Sequence, residues 1–353
     1  MPFYKVTQIR NKLYTSTRTL YIRLLVSMVK KISLIIPCQN AETNLFVLLS
    51  HIPQWKAIPS EIIIVDSSKK EPSIPEDFKL FIKKLNINLC IIHQESLYPG
   101  HARNIGIYNA TNTLLAFLDT STHPTKEWLS SSITIMKSHD SDGAWGKTYY
   151  KTDTFVSKIF RACTYGEKPI KTLPGSVIKK DIFNKCGLFV ENVRAGEDGD
   201  WMSRVELHDI NIPISDQPLI YNELNNISFR QLIKKWFRNY IHTAKLPFFK
   251  THKNYYYYGV SFVAVLLAYN WNRVLAAWDR ESIFFIPNIT TISVILLFLS
   301  YIFIRGIILP KKKGVNFRFI FPINFIFIFL LSSLLDLTKT LAFILAKFPN
   351  KLK

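Results

Sequence analysis

The feature that most constrains the fold is a run of five apolar residues, Leu114 to Leu118, followed by Asp119 and three hydroxyl residues. A continuous apolar run of this length is typical of a strand that is buried on both faces, as in a parallel sheet. In open α/β sheets, ligands bind beyond the carboxyl ends of the strands. The pattern therefore predicts that Asp119 can meet a metal ion or a phosphate group. The alternative is an aspartate that simply opens a turn.

Two segments upstream repeat this pattern. Ile32 to Pro37 has the composition of a buried strand that ends at a proline, and Glu61 to Asp66 ends at a carboxylate. Segments with helical spacing separate the strands, and this alternation predicts βαβ units and a parallel sheet, hence an α/β fold. Because parallel strands end at the same edge, Pro37, Asp66 and Asp119 are expected along one edge of the sheet.

The net charge of +20 is distributed unevenly along the chain. Residues 1–31 carry seven Lys/Arg and no acid, residues 32–230 carry 21 Lys/Arg against 22 Asp/Glu, and residues 231–353 carry 17 against three. The middle of the chain is therefore neutral, and the excess charge lies beside long apolar runs. This distribution favours an anionic membrane surface as a partner and argues against nucleic acid.

A second group of carboxylates lies in the segment 196–201, where Glu197, Asp198 and Asp200 fall within four residues. The helix dipole favours acids at a helix N-terminus, so a helix start is one explanation. The neighbouring glycines also leave room for a substrate, which makes the cluster a candidate catalytic site.

Six short segments occur in a specific order along the middle of the chain. They are 35–42 (IIPCQNAE), 63–68 (IIVDSS), 100–106 (GHARNIG), 117–121 (FLDTS), 183–189 (FNKCGLF) and 196–204 (GEDGDWMSR). Together they resemble the catalytic domain of glycosyltransferase family 2, over about half of the chain. The resemblance implies a GT-A fold, an α/β domain with a mostly parallel central sheet. It also implies a nucleotide-diphosphate sugar donor and inversion at the anomeric carbon.

The resemblance further implies how the donor is held. Pro37, Asn40 and Glu42 would line the nucleotide pocket, and Asp66 would hydrogen-bond the base. Arg103, near the first turn of a helix where an anion can bind, would lie close to the nucleotide.

The chemistry would fall to the two carboxylate groups. Asp198 would be the general base that removes the proton of the acceptor hydroxyl, with Glu197 beside it. Asp119 would face the diphosphate and a divalent metal, Mg²⁺ or Mn²⁺. The Asp-x-Asp motif of the family is Asp119-Thr-Ser121 here. Ser121 is a neutral and weaker ligand than aspartate, so the dependence on metal is left open.

Three apolar segments near the C-terminus are candidates for membrane-spanning helices: Gly259 to Trp278, which contains Arg273, Ile283 to Leu309, and Phe319 to Leu335. About 20 residues cross the hydrocarbon core, so the chain is expected to have two to three crossings. The basic segment 311–318 between the last two is expected on the cytoplasmic side, and a cytoplasmic catalytic domain is predicted, facing the inner membrane if the protein is bacterial.

The expected domains are a basic N-terminal arm or interfacial helix (1–31), the catalytic domain (32–225), a basic amphipathic interfacial segment (226–256) and the membrane region (257–353). The segment from Gln231 to Trp236 does not match the Gln-x-x-Arg-Trp motif of processive synthases, so transfer of single sugars is expected.

Three hypotheses for function remain open. The first is a transferase that acts on a membrane lipid or lipid-linked acceptor in surface polysaccharide or glycolipid biosynthesis. The second is a polyprenyl-phosphate sugar synthase. The third is a catalytically degenerate GT-A domain that acts as a binding module.

Overall fold

The structure is a computed structural model that describes residues 31–70, 75–225, 227–247 and 253–346. The expected arm at 1–31 therefore lies, apart from Lys31, outside the described residues. Two compact units are present. The first contains the described residues up to Asp153 and those from Pro169 to Leu246. The second contains Thr154–Lys168 and the described residues from Pro247 onward.

In the described part of the chain, eight strands form one sheet in the order β3-β2-β1-β4-β7-β6-β8-β5. The strands are β1 (Ile32–Cys38), β2 (Glu61–Asp66), β3 (Asn88–His93), β4 (Leu114–Phe117), β5 (Thr122–His123), β6 (Gly143–Tyr150), β7 (Ile170–Lys179) and β8 (Ile214–Tyr221). Strands β1 to β4 pair in parallel, as does β6 with β8. Strand β7 is antiparallel to its neighbours β4 and β6, and β5 is antiparallel to β8. The mostly parallel α/β sheet predicted from the sequence is confirmed.

The helices also follow chain order. They are α1 (Glu42–Ser50), α2 (Glu76–Lys84), α3 (Pro99–Asn109), α4 (Trp128–Ser138), α5 (Phe155–Cys163), α6 (Asp181–Cys186), α7 (Glu197–Leu207), α8 (Phe229–Thr243), α9 (Lys253–Val274), α10 (Ile289–Lys312, π-helical over Ile304–Ile308), the short α11 (Phe317–Ile320) and α12 (Asn324–Ala346). Short 3₁₀ turns occur at Ile52–Gln54 and Glu223–Asn225.

Helices cover both faces of the sheet, which explains the continuous apolar runs of its central strands. Within β1, Leu34 and Ile36 belong to one buried layer, and Ile35 belongs to the layer on the opposite face. Successive side chains of a strand point to opposite faces, so a strand covered on both sides needs an apolar residue at every position. The register pairs Cys38 with Asp66 and brings the ends of β1 and β2 to the same edge.

The opposite edge of the sheet holds a buried carboxylate that has only neutral donors. Glu61, at the start of β2, is 3% exposed. It accepts hydrogen bonds from the hydroxyl of Ser33, from the backbone N–H and hydroxyl of Thr111 (both 3.0 Å), and from Nδ2 of Asn88 (3.5 Å). These bonds join β1, β2, β3 and the turn before β4 at the edge remote from the predicted site.

The second unit contains two helices, α10 and α12, that are long and apolar enough to cross a membrane by length and composition. Helix α9, which covers much of the predicted segment from Gly259 to Trp278, does not meet the same criterion. Within this unit, the Phe155 ring of α5 packs edge-on against Phe327 of α12, with the ring centroids 6.0 Å apart. The turn after α5 is held by Lys313, whose Nζ donates to the carbonyl of Thr164 at 2.6 Å.

The structure divides the chain differently from the predicted boundaries in two places. Helix α8, which the sequence assigns to the interfacial segment 226–256, belongs to the first unit, and its side chain Leu232 is buried. Residues 154–168, which the sequence assigns to the catalytic domain, belong to the second unit. The second difference arises because the apolar face of α5 packs against α12, a partner about 170 residues later in the chain.

We expect Glu61→Ala to lower the free energy of unfolding by about 1–3 kcal/mol, because it leaves several buried donors without an acceptor. Urea denaturation of the full chain, followed by tryptophan fluorescence, measures this change. Glu76→Ala is the matched control. Its carboxylate lies at an exposed ion pair with Lys79, so we expect a change of about 1 kcal/mol or less. Equal effects of the two substitutions would contradict the structural role of Glu61.

Candidate active site

The loops after β1 and β2 are joined to each other at the carboxyl edge of the sheet. The backbone N–H of Ser67 donates to the carbonyl of Cys38 at 2.8 Å, and the backbone N–H of Asn40 donates to Oγ of Ser68 at 2.7 Å. Asn40 has a φ of 50°, a left-handed conformation that asparagine tolerates better than most residues. The chain can therefore turn sharply out of β1 into α1.

Next to these loops is a cavity of about 370 Å³ with mainly polar walls. Its lining residues are Asn40, Ala41, Glu42, Thr43, Asn44, Ser68 and Lys70. Asn40 and Glu42, two residues predicted to line the nucleotide pocket, thus share one cavity. Pro37, the third, lies within β1 and is half-buried.

Asp66 is buried, and its carboxylate is held by neighbouring residues. Ser68 donates to it from its backbone N–H (3.1 Å) and its hydroxyl (2.9 Å), and Nδ1 of His93 lies 2.9 Å from Oδ2. The register of β2 and β3 places His93 directly beside Asp66. The pKa of the Cys38 thiol is raised to about 12, first by burial and then by Asp66, so the thiol is not a nucleophile at neutral pH.

The centre of the candidate site is Arg103, a buried arginine in the second turn of α3. Its Nη1 donates to Oε1 of Glu197 at 2.6 Å, and its Nη2 donates to Oδ1 of Asp119 at 3.0 Å. Burial by itself lowers the pKa of a guanidinium, but Asp119, Glu197 and Asp198 raise the pKa of Arg103 above its ordinary value. Arg103 therefore stays charged and joins α3, the end of β4 and the start of α7.

A glycine allows α3 to come this close to α7. A Cβ atom on Gly100 would overlap the carbonyl oxygen of Val190 and lie 3.2 Å from Cγ of Glu197. On the same helix, Asn104 donates to the carbonyl of Phe189 at 2.9 Å and accepts from its N–H at 3.0 Å. These contacts hold the segment before α7 against α3 and set the position of the carboxylate cluster.

The second oxygen of Asp119 is also engaged. The phenol of Tyr221, at the end of β8, donates to Oδ2 of Asp119 at 2.6 Å. Burial, and then Asp119, raise the pKa of Tyr221 well above its ordinary value, so the phenol stays a neutral donor. Its ring stacks on Tyr150, with the ring centroids 5.4 Å apart.

These contacts bear on the predicted Mg²⁺ or Mn²⁺ site. One carboxylate oxygen of Asp119 accepts a hydrogen bond from Arg103, and the other accepts one from Tyr221. Ser121 offers only a neutral hydroxyl. Among the described residues, no group of three or more His, Cys, Asp or Glu side chains is arranged to hold a metal ion. As arranged here, Asp119 and Ser121 do not fit a divalent cation.

Helix α7 begins with the predicted catalytic cluster. Gly196, with φ of 90°, starts the helix in a left-handed conformation that a glycine adopts without strain. Glu197 is only 4% exposed, and its Oε2 has no hydrogen-bond partner among the described residues. Burial, and then the Asp198 carboxylate, raise the pKa of Glu197 to about 7, while Arg103 opposes the rise.

Asp198 is half-buried, in contrast to its two acidic neighbours. Its Oδ1 accepts a hydrogen bond from the N–H of Gly199 at 2.8 Å. Asp200, by contrast, is buried and forms an ion pair with Nε of Arg204 at 3.1 Å. Asp198 is thus the member of the cluster that a substrate can reach, and Asp200 has a structural position.

The structure brings Arg103, Asp119 and Glu197 into direct contact, with Asp198 adjacent in the chain. It places Asn40 and Glu42 separately, on the cavity beside Ser68. The individual roles given to these residues remain predictions. The sequence interpretation missed Tyr221 and His93, whose partners lie 102 and 27 residues away in the chain. Only the register of the sheet reveals both pairs.

Because the pKa of Glu197 is raised, we expect the free energy of unfolding to depend on pH. The native carboxyl keeps its proton up to about pH 7, whereas an unfolded glutamate loses it near 4.5. The native state therefore binds more protons between these values, and raising the pH through this window favours unfolding. We expect the unfolding free energy of the wild type to fall by about 1–3 kcal/mol, relative to Glu197→Gln, between pH 5 and 8. A constant difference across this range, measured by urea denaturation, would contradict the raised pKa.

Comparison with known proteins agrees with this architecture. Residues 33–189 match the family described as glycosyl transferase family 2. The glycosyltransferase AglE of Haloferax volcanii is 22% identical over 221 residues, which cover 59% of this chain and 71% of that protein. The poly(ribitol-phosphate) beta-N-acetylglucosaminyltransferase TarS of Staphylococcus aureus is 22% identical over 207 residues, 54% of this chain but only 35% of that protein.

A solved structure shares the fold. The mannosyltransferase PcManGT of Pyrobaculum calidifontis, in complex with GDP-Man and Mn²⁺, superimposes with a TM-score of 0.50 at 13% identity and covers 95% of this chain and 94% of that one. The family match, the GT-A-like sheet and the cluster at its carboxyl edge lead to the same assignment. Residues 33–189 are similar to the glycosyl transferase family 2 domain, and the protein is a glycosyltransferase that uses a nucleotide-sugar donor.

Proposed function

We propose that the protein is an inverting enzyme that transfers a single sugar from a nucleotide-diphosphate sugar to a hydroxyl or phosphate of a membrane lipid or lipid-linked acceptor. Its pathway would be the biosynthesis of a surface polysaccharide or glycolipid. The observation that carries the proposal is the network of Arg103, Asp119 and Glu197, with the accessible Asp198 beside it at the carboxyl edge of the sheet.

In this proposal the nucleotide lies over the ends of β1 and β2. The polar cavity lined by Asn40 and Glu42 supports this position, since its amide and carboxylate groups suit a ribose and base. Asp66, which is proposed to hydrogen-bond the base, is held in place by Ser68 and His93.

Asp198 is proposed as the general base. One of its oxygens accepts from the N–H of Gly199, and the other has no hydrogen-bond donor in the part of the chain that the structure describes. That second oxygen can take the proton of an acceptor hydroxyl while the hydroxyl attacks the anomeric carbon. General base catalysis of this kind contributes roughly 10²–10⁴ in rate. Glu197 would hold Arg103 in place rather than accept the proton itself.

The second unit supports a membrane-bound acceptor. Helix α10 exposes large apolar side chains, among them Leu296 and Phe298, over a length that spans a bilayer. The basic residues Lys311 and Lys312 at its end favour the cytoplasmic side for this end of the helix. With this end of α10 in the cytoplasm, a cytoplasmic catalytic unit requires one further crossing before α10, for which the segment from Gly259 to Trp278 is the proposed candidate.

A polyprenyl-phosphate sugar synthase is the second candidate, and a cavity in the second unit favours it. The cavity measures about 640 Å³ and has mainly apolar walls with two lysines. Its lining residues are Phe303, Ile307, Ile308, Lys311, Lys312, Phe317 and Phe321. Apolar walls with cations match the chemistry of a lipid phosphate.

We expect Asp198→Asn to reduce transfer by at least about 10²-fold and to leave nucleotide affinity within about twofold, because the amide cannot accept the proton. Transfer is measured with radiolabelled donor in membranes that contain the protein, and affinity by calorimetry. The control is Asp209→Asn. Asp209 is exposed, lies just after the end of α7, and has a left-handed conformation that asparagine tolerates. Full activity of Asp198→Asn would exclude this residue as the base.

The donor is identified by assaying the same membranes with UDP-, GDP- and dTDP-sugars, each with and without EDTA. Transfer or hydrolysis from one of them supports the proposed function. Extraction of the labelled product into organic solvent, as a single-sugar lipid phosphate, supports the synthase instead. Turnover of none of the donors, by protein that still binds nucleotide, favours the degenerate domain.

A further inference from the structure

Three cationic side chains and one histidine lie together in the first unit, outside the network already described. Arg238 and His242 are on α8 and Lys245 follows it, at positions i, i+4 and i+7, so they share one side of the helix. Arg194, from the segment before α7, joins them. We call these four residues the cationic cluster. Within the described ranges, none of them forms an ion pair with a carboxylate at 4.0 Å or less.

Two contacts place the cationic cluster at the carboxyl edge of the sheet. Nη2 of Arg194 lies 3.4 Å from Oε1 of Gln39, the residue that follows β1. The His242 ring packs edge-on against Tyr98, which directly precedes α3, with the ring centroids 5.5 Å apart. Gln39 adjoins Asn40, which lines the polar cavity, and Tyr98 adjoins the helix that carries Arg103, so the cluster borders the candidate active site.

The members of the cluster influence one another electrostatically. Burial, and then Lys245, Arg194 and Arg238, lower the pKa of His242, and burial followed by Arg194 lowers the pKa of Arg238. In addition, Nδ1 of His242 is buried and has no hydrogen-bond partner among the described residues. The side chains of Arg238 and Lys245 are exposed, and their positive charge is not compensated by a carboxylate. Such an arrangement attracts anions.

The proposed sugar transfer needs positive charge near the diphosphate of the donor. The acceptor oxygen forms a bond to the anomeric carbon, and the bond from that carbon to the diphosphate oxygen breaks. The electron pair leaves with the nucleoside diphosphate, whose negative charge increases, and the acceptor proton passes to Asp198. Since Asp119 is engaged by Arg103 and Tyr221, it does not offer a free carboxylate for a charge-neutralising cation.

We propose that the cationic cluster binds the diphosphate of the sugar donor and stabilises it as the leaving group, without a divalent metal. Arginine suits this role because its planar guanidinium forms paired hydrogen bonds with phosphate oxygens. Arg194 and Arg238 would make the main contacts, and Lys245 would add charge. This inference rests on the proposed function only in taking the donor to be a nucleoside diphosphate sugar.

The test uses the full chain, purified in detergent and kept in EDTA. The affinities of UDP, GDP, dTDP and inorganic pyrophosphate are measured by calorimetry at two salt concentrations. For the nucleotide that binds the wild type, we expect the double variant Arg194→Gln/Arg238→Gln to lose at least about tenfold in affinity. Arg238→Lys should keep part of the affinity, because it keeps the charge.

Arg230→Gln is the matched control, since Arg230 is an exposed arginine in the first turn of the same helix. We expect it to bind nucleotide within about twofold of the wild type. Thermal unfolding and near-ultraviolet circular dichroism of each variant show whether it is folded. Affinity in the wild type should also fall steeply as salt rises.

Several results would overturn the proposal. One is unchanged nucleotide affinity in the folded double variant, and another is wild-type binding that occurs only when Mg²⁺ or Mn²⁺ is added; both leave the proposed function standing. A double variant that keeps nucleotide affinity but raises KM for a phosphate-bearing acceptor assigns the cluster to the acceptor instead. A wild type that binds no nucleoside diphosphate, with or without metal, overturns the proposed function as well.

Discussion

The buried guanidinium of Arg103 is the interaction on which the arrangement of the site depends. A charge taken out of water is costly unless it is paired and hydrogen-bonded, and removal of one partner from such a group is more damaging than replacement of the whole set. Arg103 is paired with Asp119 from β4 and Glu197 from α7. The three elements that carry these residues must therefore keep their relative positions, and Asp198 is positioned as a consequence.

Much of this architecture could be predicted from the sequence, because its signals are local. A continuous apolar run followed by a carboxylate is visible in ten residues, and parallel pairing then brings Asp66 and Asp119 to one edge. Strand β2 has the predicted bounds. The cluster at Glu197 and Asp198 begins a helix, as expected, and the same residues border the site.

The partners of these side chains could not be predicted, because they depend on register and packing. Nothing near Tyr221 in the chain indicates a bond to Asp119, and the contact exists only because β8 returns beside the end of β4 through β5. Helix α8 was interpreted as interfacial from its basic, amphipathic pattern. That pattern does not show that one side of the helix packs on the first unit through Leu232 and His242, and the interfacial role stays a prediction.

The lack of a side chain at Gly100 has a consequence for how the enzyme binds its substrates. The backbone of Val190 is so close to α3 at Gly100 that the helix and the segment before α7 cannot come closer together. The reacting groups are therefore preorganised, and little reorganisation energy is needed when the donor arrives. A movement that closes the site over the substrate would therefore have to leave this contact in place, and surface loops are where such movements usually occur.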